Sequence, residues 1–209
     1  MKHMKHILVP IAGFARAGKD SLADFIFDHL EETEPTYSVI TLKFADALKT
    51  DLEKAMASVG VKVDAFTEDT EKKKALRPML VAYGEYRRSL DPDVWVKKVL
   101  KEIGVWVSET VPDSESAGSV ILVPDLRYLN EYEKLKAVAD QHGWAFVPIY
   151  IERHGNLPAN EQEAYSIAEM AAKGCFSTGN ALQLSFGDKS VERISQWARK
   201  FTQEMSVYR

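Results

Sequence analysis

Short apolar runs alternate with amphipathic segments along most of this chain. Continuous runs of aliphatic and aromatic residues, bounded by polar or turn-forming residues, are typical of buried strands. On this basis the sequence predicts about five strands. They lie at residues 7–12, 37–42, 119–124, 144–151 and, as the weakest, 181–186.

Apolar positions at helical spacing lie between these runs. They predict helices at residues 21–30, 44–58, 130–142, 163–173 and 190–205, and two helices within 71–101 that break near 90–93. Because strands that alternate with helices form parallel sheets covered on both faces, we predict an α/β fold. No repeat or linker divides the chain, so we expect a single domain over residues 1–209.

Residues 13–21, Gly-Phe-Ala-Arg-Ala-Gly-Lys-Asp-Ser, form a glycine loop between the first strand and the first helix. Strand, glycine loop, lysine and helix in this order bind the phosphates of a nucleotide, because glycines and the helix N-terminus present backbone N–H groups to an anion. The predicted nucleotide-binding residues are Gly13, Arg16, Ala17, Gly18, Lys19, Asp20 and Ser21. The alternative is a glycine-rich turn before a helix that Asp or Ser caps.

Asp20 departs from the usual pattern, which places Ser or Thr directly after the lysine to bind magnesium. Ser21 follows Asp20, so either side chain is a candidate metal ligand, directly or through water. Asp125, just past the third strand, is the third candidate, and its alternative role is a strand-end cap.

Polar residues follow several of the predicted strands, where ligands bind in open parallel sheets. We therefore expect residues 13–21, 43–49, 125–127 and 152–153 to meet in one cleft. There Lys19 and Asp125 are candidate catalytic residues together with Arg127 and Arg153, whose guanidinium groups suit phosphate oxygens. An exposed loop arginine is the alternative for Arg153.

Composition narrows the classes of partner. The chain has 209 residues, 45% of them hydrophobic, and a formal net charge of -4, which argues against a broad nucleic-acid-binding surface. The single cysteine, Cys175, excludes an internal disulfide and a cysteine-built metal site. The first apolar run is too short to cross a membrane, so we expect no membrane partner and a cytoplasmic location. A homodimer is left open.

Residues 71–101 are basic within this acidic chain, with nine Lys or Arg against four Asp or Glu. The three consecutive lysines at 72–74 are typical of a solvated helical face. Arg77, Arg87 and Arg88 are better candidates for an anion site, because arginine binds phosphate through a bidentate fork. Trp95 fits either a buried core or a nucleotide-facing wall.

Five motifs carry a resemblance. They are Gly18-Lys19-Asp20-Ser21, Phe44-Ala45-Asp46-Ala47-Leu48-Lys49, the spaced set Arg77, Leu80, Gly84, Arg88 and Trp95, Pro124-Asp125-Leu126-Arg127 with Glu131, and Ser166-Ile167-Ala168-Glu169. Together they resemble the deoxynucleoside monophosphate kinases of bacteriophages, within the three-layer P-loop NTPase fold. The match departs at Ala15, where some relatives carry a basic residue, and at Ser166, which replaces a histidine. These departures concern the acceptor base more than the reaction.

The resemblance implies transfer of a phosphoryl group from ATP, with Mg2+, to a deoxynucleoside 5′-monophosphate. It implies an acceptor-binding helical segment at about 60–110, a lid-like segment at about 152–175 and, for a phage-encoded protein, the host cytoplasm. The implied acceptor-binding residues are Leu48, Lys49, Arg77, Gly84, Arg88 and Trp95. The alternatives are a P-loop kinase for a modified base in DNA, a nucleoside or a small metabolite, or a nucleotide-hydrolysing switch. The switch ranks lowest, because the base-specificity motif Asn-Lys-x-Asp is missing from the sequence.

Overall fold

The computed structural model describes residues 5–34, 37–110, 118–158, 160–176, 180–184 and 190–205. Strands and helices alternate along most of this described part of the chain. Their order is β1 (Lys5–Ala12), α1 (Lys19–Thr33), β2 (Tyr37–Thr41), α2 (Phe44–Ser58), α3 (Thr70–Leu90), α4 (Val94–Thr110), β3 (Gly118–Leu126), α5 (Leu129–His142), β4 (Ala145–Phe146), β5 (Ile149–Arg153), α6 (Glu161–Ala172), β6 (Ala181–Leu184) and α7 (Ser190–Met205).

The strands form one sheet in the order β2-β3-β1-β5-β6, and the short β4 also pairs with β1. Every pairing is parallel, as the alternation of strands and helices predicted. The carboxyl ends of all strands therefore lie along one edge of the sheet. The two strands that immediately flank β1, namely β3 and β5, bring their following loops next to the glycine loop.

One predicted strand is wrong in its extent. The apolar run at 144–151 forms two strands, β4 and β5, which pair with different parts of β1. Pro148 lies between them and has no N–H to donate to a neighbouring strand. Of the last predicted strand, residues 181–184 are confirmed as β6, while 185–186 lie outside the described residues.

The sheet is covered on both faces, so the molecule has three layers. Alternate residues of β1 enter opposite cores: Val9 packs with α1 and α7, and Leu8 packs with α2, α4 and α5. Strand β3 divides in the same way, with Leu122 in the first core and Ile121 in the second. This arrangement confirms the predicted α/β fold with a parallel sheet between helices.

The break between the two helices of the basic segment falls where the sequence predicted it. Helix α3 begins after Asp69, whose carboxylate accepts hydrogen bonds from the N–H groups of Glu71 and Lys72. It ends at Leu90, and α4 follows from Val94. Among the described residues, no helix is both long and apolar enough to span a membrane.

Candidate active site

The glycine loop packs directly against the end of β5. Gly13 has φ +151°, and a Cβ on it would lie 2.2 Å from the carbonyl oxygen of Ile151. Gly18 has φ +107°, where a Cβ would lie 2.9 Å from Ile194 Cδ1. Gly13 excludes a side chain by backbone conformation and by space, whereas Gly18 excludes one mainly by its backbone conformation. The loop therefore runs close to the sheet edge and delivers the chain into α1.

Helix α1 begins without a side-chain cap. The N–H groups of its first turn have no acceptor within the helix itself, so they are available to an anion in the loop. The capping alternative that the sequence left open for Asp20 or Ser21 is not seen. A phosphate chain fits this arrangement of glycines and helix N-terminus.

Lys19 is buried against the loop, with only 6% of the residue's surface exposed. Its Nζ donates to the carbonyl oxygens of Gly13, at 2.6 Å, and Phe14, at 2.9 Å. An ammonium has three N–H donors, so one remains for another acceptor. Burial and the nearby Arg127 guanidinium lower the pKa of Lys19, and the carboxylate of Glu163 partly offsets this effect.

Asp20 and Lys43 form an ion pair across the mouth of the loop. Lys43 Nζ lies 2.6 Å from Asp20 Oδ1, and the Asp20 side chain is largely exposed. Burial alone would lower the pKa of Lys43, but its hydrogen bond to Asp20 raises it overall. Lys43 lies two residues past the end of β2, in the segment 43–49 that the sequence predicted for the cleft.

Asp125 caps a helix. Its Oδ1 accepts from the N–H of Phe44 at 3.0 Å and its Oδ2 from the N–H of Ala45 at 2.8 Å, so it holds the first turn of α2. Burial raises the pKa of Asp125, despite the two backbone hydrogen bonds and the nearby Arg127. The structure thus shows the strand-end cap that was the alternative for this residue, and a metal role stays a prediction.

The described residues contain no group of three or more His, Cys, Asp or Glu side chains that could hold a metal ion by themselves. Mg2+ in kinases is commonly bound by one or two protein oxygens together with substrate phosphates. Asp20 and Ser21 are exposed beside the loop and have the oxygen chemistry for this. The residues present therefore fit a magnesium ion that arrives with a nucleotide.

Each of the two predicted catalytic arginines lies near the glycine loop or its lysine. Arg127 Nε is 3.9 Å from Oε1 of the buried Glu163. Arg153 Nη1 donates to Ser190 Oγ at 3.2 Å, and its Nη2 lies 3.9 Å from where a Gly18 Cβ would be. Arg153 is thus half-buried beside the glycine loop, which contradicts the alternative of an exposed loop arginine.

Glu131 joins the third strand to the basic helix α3. Its Oε2 accepts from the N–H groups of Arg127 and Tyr128, both at 3.1 Å, and its Oε1 accepts from Arg88 Nη2 at 3.1 Å. The Arg88 guanidinium also lies 4.4 Å from the centre of the Tyr128 ring. Glu131 is 2% exposed, and burial raises its pKa to about 7, against the opposing effect of Arg88. The sequence placed Glu131 in a motif but not in the site.

Three of the remaining predicted acceptor residues, Leu48, Lys49 and Gly84, lie where α2 meets α3 and the residues before it. Lys49 Nζ lies 3.1 Å from Asp46 Oδ1 and 4.9 Å from the centre of the Phe66 ring. Leu48 touches α3 at Gly84, where a Cβ would be 2.6 Å from Leu48 Cδ1.

Arg77 and Trp95 differ sharply in burial. Arg77 is exposed on α3, and its acceptor role stays a prediction. Trp95 is 1% exposed and packs in the core with its ring 6.4 Å from Tyr83. The structure therefore buries Trp95 as a core residue and not as a wall of an open cleft, because its position on α4 faces the sheet.

The family model for phosphomevalonate kinase matches residues 11–141, more than half of the chain. A search of curated proteins finds no match. Among solved structures, the chain is similar to the APS kinase CysC of Mycobacterium tuberculosis in complex with AMPPNP and APS, with 14% identity, 97% of this chain and 99% of that chain covered, and a TM-score of 0.49. It is also similar to Kti12 of Chaetomium thermophilum in complex with ADP-AlF3, with 11% identity, coverages of 94% and 97%, and a TM-score of 0.44.

The raised pKa of Glu131 predicts a pH-dependent effect of Glu131→Gln on stability. Between pH 4.5 and about 7 the native protein holds the Glu131 proton and the unfolded chain does not. As pH rises through this window, the free energy of unfolding of the wild type should therefore fall by on the order of 3 kcal/mol. That of the variant, which has no carboxyl group at this position, should not show this fall. Urea unfolding at a series of pH values measures it.

Glu133→Gln is the matched control, since Glu133 is an exposed carboxylate on the same helix. Its effect on the free energy of unfolding should change little over the same range. A Glu131→Gln effect that does not vary with pH would contradict the raised pKa.

Proposed function

The chain belongs to the phosphomevalonate kinase family, and from that membership we propose that it transfers the γ-phosphoryl group of ATP to the phosphate of a small phosphorylated acceptor. One observation carries the proposal: two sets of cations lie next to each other at the sheet edge. Glu131 accepts from Arg88 and from the N–H of Arg127, and the Arg127 guanidinium in turn lies near Lys19. A triphosphate and a phosphomonoester that react with each other each need such cations.

The proposed reaction needs positioning and charge neutralisation more than covalent help. An oxygen of the acceptor phosphate attacks the γ-phosphorus, the bond from that phosphorus to the β–γ bridging oxygen breaks, and ADP leaves with that oxygen. Lys19 and the N–H groups of the loop neutralise the donor phosphates, and Arg127 and Arg153 supply further positive charge at the rim. Magnesium, when bound through Asp20 or Ser21, neutralises charge on the same phosphates.

The acceptor proposed first is a deoxynucleoside 5′-monophosphate, on the strength of the sequence motifs. Arg88 and Lys49 suit its phosphate, and both cations lie beside aromatic rings, those of Tyr128 and Phe66, on which a base could stack. The family match favours a second acceptor, phosphomevalonate, which also carries a terminal phosphate but has no base. Both reactions give a diphosphate product, so the same donor site serves either.

The direct test incubates purified protein with ATP, Mg2+ and each acceptor separately, with mass spectrometry of the products. The proposal predicts ADP and a diphosphate from at least one deoxynucleoside monophosphate. Diphosphate from phosphomevalonate alone would reassign the acceptor and keep the reaction class. No diphosphate from any acceptor would contradict transfer to a small phosphorylated acceptor, and salt-sensitive binding of DNA oligonucleotides would then favour a modified base in DNA as the acceptor.

Lys19→Ala should reduce the turnover number by at least about a hundredfold, because the variant loses the positive charge nearest the transferred group. The control is Lys54→Ala, which removes an exposed lysine from α2. Steady-state kinetics with saturating ATP measure both variants. A Lys19→Ala turnover within a few-fold of wild type would contradict the donor-site assignment.

Arg88→Ala should act mainly on the acceptor, with the acceptor KM rising about tenfold to a hundredfold, which corresponds to the loss of a charge-assisted hydrogen bond. The ATP KM should change far less. Arg199→Ala, at an exposed arginine of α7, is the control. Unchanged acceptor kinetics in Arg88→Ala would show that the basic helix does not bind the acceptor.

A further inference from the structure

Helix α3 has little apolar anchoring. Gly84 is the only one of its residues that is fully buried, while Met79, Tyr86 and Leu90 are exposed. A helix that buries so little apolar surface gains little hydrophobic stabilisation from its neighbours. Its position over α2 and α4 therefore depends on a few specific contacts.

Asp51 of α2 supplies the most concentrated of these contacts. Its Oδ2 accepts from Tyr83 Oη at 2.8 Å and from Arg87 Nη1 at 2.6 Å, both on α3. Its Oδ1 accepts from Lys98 Nζ of α4 at 2.7 Å. Arg87 Nη1 also donates to Tyr83 Oη at 3.0 Å. One carboxylate thus connects three helices.

The Asp51 carboxylate is held in its charged form. Its side chain is only 14% exposed, and burial would raise its pKa, but the hydrogen bonds from Lys98 and Tyr83 and the neighbouring cations lower the pKa overall. Charge-assisted hydrogen bonds are about twice as strong as neutral ones. Removal of this charge would leave Arg87 and Lys98 facing each other without a counter-ion.

A second contact lies one helical turn away on both helices. Leu48 precedes Asp51 by one turn on α2, and Gly84 precedes Arg87 by one turn on α3. A Cβ on Gly84 would come within 2.6 Å of Leu48 Cδ1, so the two helices approach each other closely there. Helix α3 therefore meets α2 at two successive turns, through Gly84 against Leu48 and through Tyr83 and Arg87 on Asp51.

We propose that Asp51 is a positioning residue for the acceptor site. It hydrogen-bonds Tyr83, Arg87 and Lys98, and through them it holds α3 so that Arg88 lies at a fixed distance from Lys49 of α2. Arg88 follows Arg87 directly in the chain, so a shift of α3 moves Arg88 relative to Lys49 and weakens its contact with the acceptor. This inference rests on the proposed function, in which α2 and α3 together bind the acceptor phosphate.

The test is Asp51→Asn, which keeps the size of the side chain and one acceptor oxygen but removes the charge. The acceptor KM should rise about tenfold or more, the ATP KM should stay within about twofold, and the turnover number should fall less than the acceptor KM rises. The matched control is Asp91→Asn, which removes a carboxylate that pairs with Lys97 at the end of α3 but does not contact α2. Its acceptor KM should stay near the wild-type value.

Tyr83→Phe is a milder variant, which removes one of the three donors and should raise the acceptor KM in the same direction by a smaller factor. An acceptor KM that is unchanged in both variants, or an ATP KM that rises as much as the acceptor KM, would overturn the proposal.

Hydrogen–deuterium exchange separates this proposal from the proposed function. In Asp51→Asn, exchange should accelerate across residues 70–90 and stay unchanged across residues 19–33. If the wild type phosphorylates no acceptor, the proposed function fails, yet faster exchange in α3 would still show that Asp51 holds this helix. Unchanged exchange in α3 would overturn that role of Asp51, whatever the substrate.

Discussion

The contact between Gly13 and the backbone of β5 is the constraint on which the candidate site depends. A Cβ at this position would lie 2.2 Å from the Ile151 carbonyl oxygen, so only glycine allows the loop to lie this close to the sheet. From there the loop leads into α1, whose N-terminus lacks a side-chain cap. The same turn places Lys19 against the loop carbonyls. The place of the loop at the sheet edge, and the positive charge of Lys19 beside it, thus depend on this one backbone contact.

Around this loop, cations are held by oxygen atoms of the protein. Lys19 donates to backbone carbonyls, Lys43 pairs with Asp20, and Arg88 pairs with the buried Glu131. Phosphates that bind at these cations must compete with those partners. Such pairs keep the cations in place before a substrate arrives, which reduces the entropy that binding must offset. The weaker, exposed pair of Asp20 and Lys43 is the easiest to exchange.

The sequence was sufficient to predict what is local and periodic. The parallel sheet, the glycine loop and the break before Val94 all followed from apolar runs, glycines and turn residues. Contacts between distant segments were not visible in the same way. The cap that Asp125 gives to α2 joins residues far apart in the chain, and so does the bond from Tyr83 to Asp51. Burial of Trp95 likewise depends on the face that α4 turns to the sheet.

In the proposed reaction, one cleft binds a nucleotide donor and a phosphorylated acceptor side by side. Calorimetry with a bisubstrate analogue, in which the acceptor is joined to ATP through its phosphates, measures this arrangement. Because one linked ligand would fill both halves of the cleft, we expect one analogue per chain and binding much tighter than that of either part alone. Binding no tighter than that of a non-hydrolysable ATP analogue would contradict it.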